Sequence, residues 1–124
     1  MQNNKDDNFV ERRRFPRYDV RYIAKVFLND KMLCGTIINI SEGGVGILLP
    51  KRLSINSVLG LKIRNILSED ESKTIDLKAR IVWMNEKEII NGMYKAGLEI
   101  ADISEEDLAI LVEHIQYLEE QTGG

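Results

Sequence analysis

The sequence predicts a mostly β domain: a small six-stranded antiparallel β-barrel followed by one C-terminal amphipathic α-helix. Three observations predict it. Segments between residues 22 and 100 are rich in β-branched and aromatic residues or alternate with period two, and polar or glycine-containing turns separate them. Beyond residue 104 the apolar spacing lengthens to that of a helix. Of the 124 residues 44% are hydrophobic, enough for one buried core and too few for two.

Residues 1–10 are polar and without periodicity, and read as a flexible leader; the domain is expected over 11–121, with an arginine-rich segment at 11–17, the barrel at 22–100 and the helix at 104–121. Tyr22 to Leu28 and Leu33 to Ile40 are β-prone runs joined by the polar pair Asn29-Asp30, which reads as a hairpin. Ser41-Glu42-Gly43-Gly44 is a turn cluster, and the strand that follows, Val45 to Leu49, stops at Pro50. From Ser57 to Ile66, Leu59, Leu61 and Ile63 share one face and Gly60, Lys62 and Arg64 the other. Leu67 to Lys73 is expected to be a polar turn. Beyond it Ile75, Leu77, Ala79, Ile81 and Trp83 alternate with polar residues, broken only at Val82, and Met93 to Ile100 makes the sixth strand.

Ser104 followed three residues later by Asp107 resembles a capping box, and Glu105 and Glu106 suit the positive end of a helix dipole. Leu108, Leu111, Val112, Ile115 and Leu118 then recur on one apolar face, which is expected to close an opening of the barrel. Ile110 and Tyr117 fall off that face, as possible contact points for another chain.

Several function classes find no support in this sequence. No apolar run approaches the roughly 20 residues needed to span a bilayer, so no membrane insertion is expected. The first ten residues lack the basic head and apolar middle of a secretion signal, which points to the cytoplasm. One cysteine, Cys34, and one histidine, His114, make neither a disulfide framework nor a zinc site, and no metal-loop spacing occurs. Cys34 reads as a buried, inert thiol and His114 as a surface or boundary residue. No GxSxG or GxxxxGK[ST] motif is present, so no enzyme is predicted and no cofactor is assigned. Gly43-Gly44-Val45-Gly46 precedes a strand rather than a helix and so lacks the dipole a dinucleotide fingerprint uses.

Charge is unevenly placed. The net charge is -3, yet Arg12, Arg13, Arg14, Arg17, Arg21 and Lys25 face only Glu11 and Asp19 over residues 11–25, whereas residues 101–124 hold seven carboxylates and no Lys or Arg. A compact anion near the N-terminus fits this better than a nucleic-acid polymer, which the acidic end would repel. An OB-like single-strand binder is disfavoured further by the three Phe, four Tyr and one Trp available for stacking. Within Glu11-Arg12-Arg13-Arg14-Phe15-Pro16-Arg17, Pro16 disfavours helix at Phe15, so the arginines project as separate arms. Guanidinium groups hold phosphates, pair with the O6/N7 edge of guanine and stack on base rings. A second cluster, Asn39-Ile40-Ser41-Glu42-Gly43-Gly44, places an amide able to read a base edge, a hydroxyl for a phosphate or exocyclic amine, and glycines that permit a positive φ or a ring against the backbone.

Together these segments resemble the PilZ domain family, whose signature joins an RxxxR segment before the first barrel strand to a [D/N]xSxxG segment at a strand end. Arg13-Arg14-Phe15-Pro16-Arg17 matches the first and Asn39 to Gly44 the second; Ala79-Arg80-Ile81-Val82-Trp83 and Tyr94 to Ile100 are similar to later strands of the family. The resemblance covers residues 11 to 118. It implies a six-stranded barrel with a C-terminal helix and binding of the bacterial second messenger cyclic di-GMP. By position, Arg13 and Arg17 would hold guanine rings and phosphates, Asn39 and Ser41 would bond a guanine edge and a phosphate, and Gly44 would keep the turn open. Arg12, Arg14 and Gly43 are further candidate contacts. Asn39 stands where the family also uses Asp, so a neutral hydrogen bond replaces a charge-assisted one. Four arginines within six residues repel one another with little apolar side chain to anchor them, so the expected protein is a receptor whose arginine segment becomes ordered on the ligand and then meets an unidentified effector protein. The alternative is an adaptor in motility, pilus or polysaccharide machinery with weak or no ligand binding.

Overall fold

The computed structural model describes residues 15–68, 71–87 and 91–123. Six strands, β1 (Tyr18–Leu28), β2 (Lys31–Ile40), β3 (Gly44–Leu49), β4 (Val58–Ser68), β5 (Glu71–Met84) and β6 (Tyr94–Ile103), precede one helix, α1 (Glu105–Gly123). All pairings are antiparallel, and the sheet closes on itself in the order β1-β2-β3-β6-β5-β4. Closure leaves no unpaired edge to be covered. The expected barrel with a C-terminal helix is therefore the fold.

Strand alternation builds the core. Ala24 and Val26 of β1, Ile37 of β2, Val45, Ile47 and Leu49 of β3, Leu59, Leu61 and Ile63 of β4, Ile75, Leu77, Ala79 and Ile81 of β5, and Ala96 and Leu98 of β6 all point inward into one buried cluster. The polar turn expected at Leu67 to Lys73 is shorter than predicted. Ile66, Leu67 and Ser68 pair with Lys73, Ser72 and Glu71, because ladder hydrogen bonds run between backbones and need no apolar side chains. β1 likewise begins at Tyr18, whose register partner is Ile40, and β6 runs on to Ile103, opposite Leu77.

The helix begins with the expected cap: the Asp107 N–H donates to Ser104 Oγ (3.0 Å) and the Ser104 hydroxyl donates to Asp107 Oδ2 (2.9 Å). α1 packs on β4, β5 and β1. Its inward face is turned from the predicted one. Leu111, His114 and Ile115 are buried, and Ile110 and Leu118 pack on the core, while Leu108 is 39% exposed. Ile110 is thus a core contact rather than an outlying one, and Tyr117 is partly exposed beside His114. His114 is not at the surface: it is 1% exposed, with its Nε2 2.6 Å from the Tyr22 hydroxyl of β1. A buried polar ring needs such a partner. Cys34 is exposed rather than buried, because β2 turns Gly35 and Ile37 inward and Cys34 falls on the opposite parity.

Candidate functional site

The β2–β3 connection is built around Ser41, whose side chain is buried (4% exposed). The Gly43 and Gly44 N–H groups donate to Ser41 Oγ (3.2 and 3.1 Å), the hydroxyl donates to the Gly44 carbonyl (3.2 Å), and the Ser41 N–H donates to the same carbonyl (2.9 Å). One donor and two acceptor positions of the hydroxyl are thereby used, so in this state Ser41 shapes the turn. The Ile100 N–H donates to the Gly43 carbonyl (2.9 Å), tying the turn to β6.

Gly44 does not use the positive φ open to glycine; among described glycines only Gly92 does. Its requirement is close approach, since a Cβ there would meet the Leu98 carbonyl oxygen of β6. The ring that lies against this turn is one of the chain's own, Phe15, on Gly43 and not Gly44, 3.0 Å from where a Cβ would stand. That contact joins the two motifs. Phe15 belongs to the arginine segment, and Arg17, exposed, leads into β1, where Tyr18 and Asp19 pair with Ile40 and Asn39. Arg12, Arg13 and Arg14 lie outside the described residues.

Asn39 reaches the outer surface through a bulge. Ile37 and Ile40 are both fully buried although three residues apart, which strict alternation forbids. Between Ile37↔Ile47 and Asn39↔Gly46 the ladder advances two residues on β2 and one on β3, so Ile38 is the extra residue and parity changes there. Arg21 braces the same place, its guanidinium donating to the Val20 (2.6 Å) and Ile38 (3.3 Å) carbonyls. The Asn39 amide then lies over Gly46, where a Cβ would be 2.5 Å from Nδ2, and Asn39 Oδ1 is buried without a hydrogen-bond partner.

A second bulge does the same for Trp83, which sequence alternation places inward. Ile81 pairs with Leu98 and Trp83 with Gly97, so Val82 is the extra residue and Trp83 turns outward, 36% exposed, its indole lying over Gly97. Gly46 and Gly97 are register partners. Asn39, Gly46, Gly97 and Trp83 therefore form one row across β2, β3, β6 and β5, with an amide and an indole over two adjacent glycines. In the neighbouring row Gly44 is opposite Glu99, which ion-pairs with Arg80 of β5. Sequence reasoning names Gly46, Gly97 and Trp83 but assigns none of them to the site. The visible signals were the broken alternation at Val82 and the unexplained glycines inside two strands.

A flat ring beside a buried orphan acceptor suits a planar heterocycle with N–H donors at its edge, and the exposed Arg17, two residues before Asp19, the register partner of Asn39, suits a phosphate. Among the described residues no cluster of His, Cys, Asp and Glu is placed to hold a metal ion, and no helix is long and apolar enough to cross a membrane.

The PilZ domain model matches residues 11–117, and the chain belongs to the PilZ domain family. It is similar in structure to the inhibitor of motility MotI/DgrA of Bacillus subtilis, with a TM-score of 0.69 and 21% identity over 98% of this chain and 54% of that one, so it spans about half of that protein. It is also similar to the PilZ domain of YcgR from Escherichia coli, solved with c-di-GMP, with a TM-score of 0.65 and 21% identity over 89% of this chain and 93% of that one. No curated protein matches it in sequence.

Proposed function

We propose that this chain is a receptor for cyclic di-GMP that carries the signal to a partner protein. The observation that carries the reading is the buried, unpartnered Asn39 Oδ1 beside Trp83. A buried acceptor left unpaired costs about 1–3 kcal/mol, and guanine, with N1–H and an exocyclic amine on one edge, supplies the missing donors. Trp83 offers a face for the same ring or its neighbour. Arg17, with Arg13 before it, supplies guanidinium groups for the phosphates and the O6/N7 edge. Arg12, Arg14 and Gly43 extend this contact set, and Ser41 and Gly44 hold the turn against which the ligand rests. In this reading the ligand draws the arginines together by neutralising their mutual repulsion and fixes residues 11–17 over Gly43, where Phe15 already packs. The ordered segment and the ligand then present one surface to an effector protein. Likeness to a protein named as an inhibitor of motility makes a motility component the first partner to test.

The test is calorimetric titration of the full chain with cyclic di-GMP, with GTP as control and Arg17→Ala as variant. Saturable binding of the cyclic dinucleotide alone, weakened roughly 5- to 150-fold in the variant, is expected from about 1–3 kcal/mol per bidentate contact. Amide exchange at residues 11–17 is expected to slow on binding. Wild-type affinity in the variant would remove Arg17 from the site, and no binding at tens of micromolar would leave the adaptor reading.

A further inference from the structure

A second pair of surfaces lies apart from the Asn39–Trp83 row and stands independently of the ligand reading. At the end of the barrel away from the Ser41 turn, the end of β1, the β3–β4 connection at residues 50–57 and the end of β5 form a groove of about 620 Å3, lined by the apolar Leu28, Leu53, Ile55 and Met84 and by the charged Lys51, Arg52 and Glu86. The groove is held in shape by three hydrogen bonds from backbone N–H groups. The Asn56 N–H donates to the Ile81 carbonyl (2.8 Å), the Ile81 N–H to the Ser57 carbonyl (2.9 Å), and the Leu53 N–H to Met84 Sδ (3.2 Å). Ile55 is nonetheless 49% exposed, and Lys51 and Arg52 are exposed beside it. The charged residues that line the groove are Lys51 and Arg52 against Glu86, a cationic excess.

The other surface is the outer face of α1. Leu108, 39% exposed, lies with Ala109 and Val112 in a shallow depression of about 500 Å3 flanked by Glu105, Glu113 and Gln116. The helix carries six carboxylates and no Lys or Arg. It is an acidic amphipathic helix with a second apolar strip facing away from its own barrel.

We propose that these surfaces are the two halves of one contact between copies of this chain, the outer face of α1 of one copy seating in the cationic groove of the next. Leu108 and Val112 meet Ile55 and Leu53, and the helix carboxylates face Lys51 and Arg52. Each half has what the other lacks: exposed apolar side chains on both sides and opposite charge around them. Either surface paired with its own copy would set like charges against each other, so the contact joins α1 of one copy to the groove of another. One helix face against one loop is smaller than a standard stable interface, so the association is weak, rises with concentration and falls with salt. Because the joined patches differ, it can extend past a dimer.

The test is sedimentation velocity of the full chain from micromolar to about millimolar concentration, at low salt and at about 0.5 M salt, where the Debye length falls to a few ångströms. The average sedimentation coefficient is expected to climb with concentration at low salt and to return to that of a monomer at high salt. Leu108→Lys blocks the helix face, and Lys51→Glu with Arg52→Glu blocks the groove; all three positions are exposed, and an unchanged urea midpoint checks that each variant folds. Each variant alone is expected to be monomeric. An equimolar mixture is expected to form a 1:1 dimer and nothing larger, since each variant keeps the half the other has lost. A wild-type chain that stays monomeric throughout would overturn the proposal, as would variants that still associate or a mixture that does not.

Discussion

What a substitution does near the Ser41 turn depends on which atom it meets. At Gly44 the obstacle is backbone, the Leu98 carbonyl oxygen, with Glu99 Cα 3.2 Å away. Gly44→Ala therefore forces β3 and β6 apart and is expected to lower stability by about 1–3 kcal/mol or more, read as a fall in the urea midpoint. Asn39→Ala should behave in the opposite way. Its Oδ1 has no partner in the free protein, so truncation removes an unpaired acceptor, and the midpoint should hold or rise while cyclic di-GMP affinity falls. A midpoint lowered as far as that of Gly44→Ala would show that the amide is a structural group instead. At this scale the sequence was legible for motif residues and misleading for the lone reactive ones. Cys34 sits in an apolar run and was read as buried, yet parity turns it out. His114, flanked by Glu113, was read as a boundary residue, yet the register of the helix on the barrel turns it in.

Between elements, the contact that fastens α1 to β1 is polar: the Tyr22 hydroxyl with His114 Nε2, the two rings 5.5 Å apart, with Tyr117 stacked on His114 at 6.1 Å. Burial, and secondarily the neighbouring Tyr117, raise the Tyr22 phenol above its ordinary value of 10.0. The sign of the consequence follows from proton counts. In alkaline solution the unfolded chain releases this proton before the folded one does, so the contribution of Tyr22 is full below about pH 10 and declines as pH rises through the raised value. Tyr22→Phe is expected to cost about 1 kcal/mol at neutral pH through the lost hydrogen bond. The gap in urea midpoint between wild type and variant should narrow above pH 10. A gap constant to pH 11 would mean that the proton of Tyr22 does not matter to the joint. Element existence and order were legible because period two and period 3.6 are written in the apolar spacing. The bulges were legible only in part: Val82 shows as a break in alternation, but that Ile38 and Val82 are the extra residues follows only once β2 is set in register against β3 and β5 against β6. For the same reason the row from Asn39 to Trp83 could not be assembled from motifs alone.

Across the whole molecule, closure was readable from strand number, because six short strands with one apolar face each have few ways to bury it. Which strands meet at the seam was not, since β1 with β4 and β3 with β6 are joined only by long-range pairing. The helix raises a sharper question: whether the barrel stands without it. Leu111 and Ile115 are 1% and 6% exposed and belong to the same buried cluster as the strand residues. Full burial of an aliphatic side chain is worth about 1.5–3 kcal/mol, so these two and the Tyr22–His114 bond together supply on the order of 5 kcal/mol. That is comparable with the roughly 5–15 kcal/mol that holds a typical domain folded. Ending the chain after Ile103 also uncovers the part of β1, β4 and β5 on which α1 packs. The truncated chain is therefore expected to lose its sigmoidal urea transition and to bind a hydrophobic dye such as ANS, as a collapsed state without fixed packing does. A cooperative transition at the full-length midpoint would show instead that the six strands are sufficient by themselves, and that α1 is retained for what its outer face contacts.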